Sequence, residues 1–199
     1  IVMGVNDEAI DVSTDIVCGG DAVVGSVTPV IAVLDQVIGV DAVMIASVGD
    51  GCYASKSIRA NRLGESDLVA ATADYGRVLQ AILPEISSAV GGLSICRRGY
   101  GNVGLSTMSL LLHEISSASK VNDILAHAAR EPLYNGILSV TDGELVAEDF
   151  RGNSYSATVD AGLTTLVGGR LVQVSAWYDG EWASANRLVE LAVETGRYI

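Results

Sequence analysis

PLYNGILSVTDGELVAEDFRGNSYSATVDAG, residues 132–162, is followed at 177–191 by WYDGEWASANRLVEL. Short apolar runs alternate here with turn dipeptides. Asp142-Gly143 is a hairpin-turn pair and predicts antiparallel strands over 137–140 and 144–147. Gly168-Gly169 separates 157–167 from 170–177 in the same way. A closing helix is expected over 182–198.

Working outward toward residue 1, Asp21 can cap a helix running through residue 38, with Val23, Val27, Val30, Ile31, Leu34 and Val37 at apolar positions. Pro29 would kink that helix rather than end it. Residues 40–48 read as a buried strand and 49–66 as a polar, turn-rich loop. A helix over 67–83 is expected next, stopped by Pro84. Strands follow over 93–97 and 103–115, with a helix near 120–130. The Gly99-Tyr100-Gly101 stretch reads as a turn, not as a dinucleotide-binding fingerprint. The whole predicts one α+β domain over 1–199, a mixed and mostly antiparallel sheet with helices on one face.

The same residues resemble the C-terminal catalytic and oligomerising domain of phosphorylating glyceraldehyde-3-phosphate dehydrogenases. That family's pattern reads roughly PLKGILGYT, then DFxxxxxSxxxDA, then SWYDNExGYSNRxxDL. Pro132, Leu133, Gly136, Ile137, Leu138, Thr141, Asp149, Phe150, Ser156, Asp160, Ala161, Trp177, Tyr178, Asp179, Glu181, Asn186, Arg187 and Leu191 keep it, in order. Met3-Gly4-Val5-Asn6 resembles the MGVN that precedes the family's catalytic segment, so the likeness reaches the start of the chain. It implies the family's fold, with the dinucleotide-binding half not expected within these residues.

The resemblance also assigns the chemistry, and the residues at the assigned positions are unreactive. The segment resembling IVSNASCTTN places Ala22 where the family has its nucleophilic cysteine, with Val23, Val24 and Gly25 after it. The segment resembling LMTTVHATTATQ places Val48 at the general-base histidine. Gly180 stands at the asparagine that holds the nicotinamide carboxamide. A methyl or isopropyl group can neither attack an aldehyde nor take a proton. Positions implied to bind phosphate carry Asp21, Val23, Gly51, Ala73 and Asp74, and an aspartate at a helix N-terminus occupies the place of an anion. Arg97 is the surviving candidate for substrate binding, matching the arginine of FRVPTPNVSV. No catalytic residue, cofactor or metal site is expected.

Cys18 is expected on a strand leading into the first helix and Cys52 in the following loop, each read as a small buried hydrophobe with a displaced nucleophile as the alternative. Cys96 is expected in the core. Three cysteines without metal spacing suggest neither zinc nor a disulfide framework. His113 continues an apolar strand and His127 lies on a helix, both read as structural or surface residues.

The net charge of -12, from 24 acidic against 12 basic side chains, argues against nucleic acid or an anionic membrane surface as partner. No apolar run reaches the roughly 20 residues of a membrane span, and no signal peptide opens the chain at Ile1. A cytoplasmic location is therefore expected.

The sequence leaves three functions open. The first is a non-catalytic scaffold that forms a homo-oligomer through the bare sheet face, which in the family packs on a second subunit. The second is a regulatory or split subunit joined to a dehydrogenase partner chain. The third is an enzyme of altered chemistry using Cys52 and Arg97.

Overall fold

The computed structural model describes residues 1–11, 13, 15–49, 68–86, 89–97 and 101–197. Among these, four α-helices accompany one eight-stranded sheet. The strands are β1 (Val40–Gly49), β2 (Leu68–Thr72), β3 (Val90–Arg97), β4 (Val103–Leu112), β5 (Leu138–Thr141), β6 (Ala157–Asp160), β7 (Thr165–Val167) and β8 (Leu171–Asp179). The helices are α1 (Ala22–Ile38), α2 (Tyr75–Gln80), α3 (Ala118–Ala128) and α4 (Trp182–Thr195). The sheet runs β2-β3-β1-β4-β8-β6-β5, with β7 on β8. Only β1–β3 and β5–β6 are parallel pairs. The α+β expectation therefore holds.

Helix α1 is rich in β-branched residues, which are mediocre helix formers. Burial compensates: Val24, Val27, Val30, Ile31 and Leu34 have no exposed surface, each worth about 1.5–3 kcal/mol on transfer from water. Asp21 caps the helix, its carboxylate accepting from the Val24 amide at 2.8 Å. Pro29 lies inside without ending it. Its ring opposes the carbonyl of residue 25, four positions back, and glycine there leaves the most room. The Ser26 and Thr28 hydroxyls bond back to the carbonyls of Val23 and Val24. Gly39 ends the helix at φ +82, a conformation that favours glycine.

Strand parity then separates two faces. Val43, Ile45, Met108, Leu110, Leu112, Val172 and Val174 point toward α1 and α3 and form the core with them. Met44, Val48, Leu111 and Leu171 point the other way and are exposed.

Several expectations need correction. Residues 68–72 form an edge strand antiparallel to β3, and only 75–80 are helical. Pairing with β3, from Leu68 opposite Arg97 to Thr72 opposite Leu93, decides for a strand there. No hairpin forms at Asp142-Gly143. Residues 144–147 are not a strand, and β5 pairs in parallel with β6 instead. The Thr141 hydroxyl accepts the Gly143 amide at 3.2 Å, so the dipeptide makes a local turn without a returning strand. The 157–167 strand is broken by a 3-10 turn at Ala161–Leu163, where the Asp160 carboxylate accepts the Gly162 amide. Its second half does form the Gly168-Gly169 hairpin with β8. The strand begun at Val103 stops at Leu112, and Ile115 is exposed. Val37 is also exposed, off the buried stripe of α1.

Candidate functional site

The head of α1 stands over the ends of β4 and β8, and the positions assigned to catalysis by resemblance converge there in part. Ala22 is the first residue of α1. A Cβ built on Gly180 would come within 3.8 Å of the Ala22 side chain. The Gly180 amide donates to the Asn102 carbonyl at 2.7 Å, so even its backbone donor is taken. Gly180 therefore offers a nicotinamide carboxamide neither a side-chain group nor a free amide.

Val48 does not join them. It pairs with Leu105 on β4, and its parity sends the side chain to the open face, 40% exposed. Ser47 is the neighbour that faces α1's side of the sheet, 2% exposed, its hydroxyl 3.0 Å from that of Tyr75. Any side chain at position 48 starts from the wrong side of the sheet.

Two tyrosines fill the space beneath. The ring of Tyr75 lies over Gly92, where a Cβ would come within 2.0 Å of it. The ring of Tyr178 lies over Gly104, where a Cβ would meet Cζ at 2.3 Å. Glycine at 92 and 104 is therefore a requirement of close approach rather than of backbone freedom. Burial raises both phenols above the ordinary tyrosine range, Tyr178 more strongly. The nearby Asp21 carboxylate pushes in the same direction, while hydrogen bonds from Ser47 and Ser94 to Tyr75, and from Ser106 to Tyr178, oppose it. Ser106 in turn accepts from Ser26 on α1 at 2.7 Å, fully buried. The result is a buried hydroxyl network joining helix to sheet. Both phenols stay protonated at neutral pH.

The helix N-termini are likewise filled by their own chain. Asp21 caps α1, and Asp74 caps α2 by accepting the Arg77 amide at 3.2 Å. Asp179, 3% exposed, receives the amides of Gly152, Glu181 and Trp182 at 2.8, 3.0 and 2.9 Å, tying β8 to the start of α4. Trp177 donates to Asp160 at 3.1 Å and stacks on Phe150 with centroids 5.2 Å apart. These motif residues hold the fold together.

Among the described residues, Arg187 is the cation lining this site. Its guanidinium donates to the Gly136 carbonyl, to Ser156 Oγ at 3.4 Å and to Glu190 at 2.5 Å. It lines a cavity of about 250 Å³ between residues 1–3, Gly19, Gly20, Gly25 and α4. With two of its nitrogens committed to the protein, it serves as a clamp between α4 and the 136 turn.

Of the other candidates, Arg97 ends β3 opposite Leu68; its side chain, that of Cys96, and all of Cys52, Gly51 and residues 98–100 lie outside the described part. Cys18 departs from expectation: it is exposed, in no strand, and its carbonyl accepts from the Ile1 amino group at 2.7 Å. His113 sits just past β4 and pairs with Asp41 at 2.8 Å, and His127 lies exposed on α3, 3.9 Å from Glu131. Among the described residues no three metal-ligating side chains cluster, and no helix is long and apolar enough to cross a membrane.

Sequence reasoning did not foresee the tyrosine network or the Arg187 clamp. A signal for the first was present: Ser47 and Ser106 interrupt core-facing positions of apolar strands, and a buried hydroxyl needs a partner.

Comparison with known proteins agrees with this architecture. Residues 24–180 match the family described as "Glyceraldehyde 3-phosphate dehydrogenase, C-terminal domain". The chain belongs to the glyceraldehyde-3-phosphate dehydrogenase family. It is 31% identical to glyceraldehyde-3-phosphate dehydrogenase 2 of Staphylococcus epidermidis, over 100% of this chain and 59% of that protein. It is 33% identical to glyceraldehyde-3-phosphate dehydrogenase 2 of Bacillus subtilis, over 96% of this chain and 58% of that protein. The glyceraldehyde-3-phosphate dehydrogenase of Zymomonas mobilis is 28% identical over 99% and 60% respectively. The chain thus spans about three fifths of the length of these curated relatives.

Proposed function

We propose that this chain is a non-catalytic scaffold of the glyceraldehyde-3-phosphate dehydrogenase family that self-associates through the open face of its sheet. The observation that carries the reading is the character of that face. Across β1, β4 and β8 its accessible positions are Ala42, Met44, Ala46, Val48, Leu105, Thr107, Ser109, Leu111, Leu171, Gln173 and Trp177, all uncharged, while Ser175 and Asp179, of the same parity, are buried. Met44 is 58% and Leu171 47% exposed. On a chain of net charge -12, two copies meet at least electrostatic cost through a neutral surface. A broad apolar face also gains by leaving water. The unreactive groups at positions 22, 48 and 180 support the non-catalytic part.

A second reading has its own support. Trp182, Leu188, Val189 and Val193 on α4 are exposed apolar residues on a different surface from the open sheet face. They suit a regulatory or split subunit that docks on a dehydrogenase chain. A cytoplasmic location accompanies either reading.

Native mass spectrometry of the protein purified gently from its source decides between them. A homo-oligomer without nucleotide supports the scaffold. A stoichiometric second chain replaces it with the subunit reading, and a monomer that turns over an aldehyde with NAD overturns both.

A further inference from the structure

We draw no further inference here: the strongest candidate, the cavity between residues 1–3, Gly20 and α4 with Arg187 in its lining, belongs to the site already described.

Discussion

Gly180 and Ala22 are neighbours across the head of α1, the position of a Cβ on the glycine lying 3.8 Å from the Cβ of the alanine. The fold has thus kept together the two places that the family resemblance assigns to nucleophile and nicotinamide anchor, while neither residue carries a functional group. Val48, assigned to the base, is on the opposite sheet face. Restoring cysteine at 22 and histidine at 48 should therefore give a thiol that does not sense the imidazole. The pH profile of iodoacetamide labelling is expected to be the same for Ala22→Cys and Ala22→Cys/Val48→His, with no NAD-dependent oxidation by either. A lowered thiol pKa in the double variant would show that the two side chains communicate, against the strand parity described above.

The close approach of Tyr178 to Gly104 makes a steric prediction. Gly104→Ala places a methyl group 2.3 Å from the ring, and a buried ring can retreat only by disturbing the Ser106 and Ser26 hydroxyls. Overpacking of this kind costs about 1–3 kcal/mol. For a chain of this size the midpoint of thermal unfolding should fall by roughly 2–4 °C per kcal/mol. Calorimetry on Gly104→Ala and on the relieved pair Gly104→Ala/Tyr178→Leu checks it: the pair should recover part of the loss, and equal melting of Gly104→Ala and wild type would refute the contact.

The same tyrosine should limit stability in alkali. Its folded-state pKa is raised above the ordinary 10.0 by burial, so the unfolded chain releases the phenolic proton first. Unfolding then becomes more favourable as pH rises above 10, while below 10 the contribution is fully present. Tyr75 adds to the effect with the same sign. Urea midpoints measured from pH 8 to 11 should fall above 10, and Tyr178→Phe should flatten that fall. A slope unchanged by the substitution would place the alkaline sensitivity elsewhere.

Much of this architecture was legible in the sequence because it is set by local rules. The start of α1 follows from Asp21, and its course to residue 38 from the apolar stripe that the fold buries. The motif from Trp177 to Leu191 identified the family correctly. The errors arose where partners distant in sequence decide. The Asp142-Gly143 turn is local, but whether a strand returns from it depends on β6, which takes the neighbouring place on β5. A glycine at 104 reads only as a weak strand residue until Tyr178, 74 positions later, is seen lying over it. The face on which Val48 lies is fixed by the register of β1 with β4, which short-range spacing does not reveal.

Arg187 offers a test of the clamp on α4. Its side chain is 16% exposed and links the helix to the Gly136 carbonyl and Ser156. Hydrogen bonds to a charged partner contribute about 1.5–3 kcal/mol each. Arg187→Ala should lower the unfolding free energy by an amount of that order, read as a fall in the urea midpoint. Arg187→Lys should recover little, because a single ammonium cannot fork between two sites. Full recovery by lysine would reduce the clamp to simple charge.

The open sheet face carries the last prediction, which separates association from folding. Met44 is exposed at the centre of β1, beside Ser109 and Gly91 in the ladder, so a charged side chain there has water to enter in the monomer. Met44→Glu should leave the monomer's circular dichroism unchanged, because no core contact is lost. In a self-associated form the same carboxylate would be buried against a neutral surface, and an unpaired buried charge is strongly unfavourable. Sedimentation velocity should therefore show the oligomer shifting to monomer in Met44→Glu and persisting in Met44→Leu. An exposed control such as Val193→Glu on α4 should leave the assembly intact. If instead Val193→Glu dissociates it and Met44→Glu does not, the contact runs through α4, and the sheet face is not the surface that joins the copies.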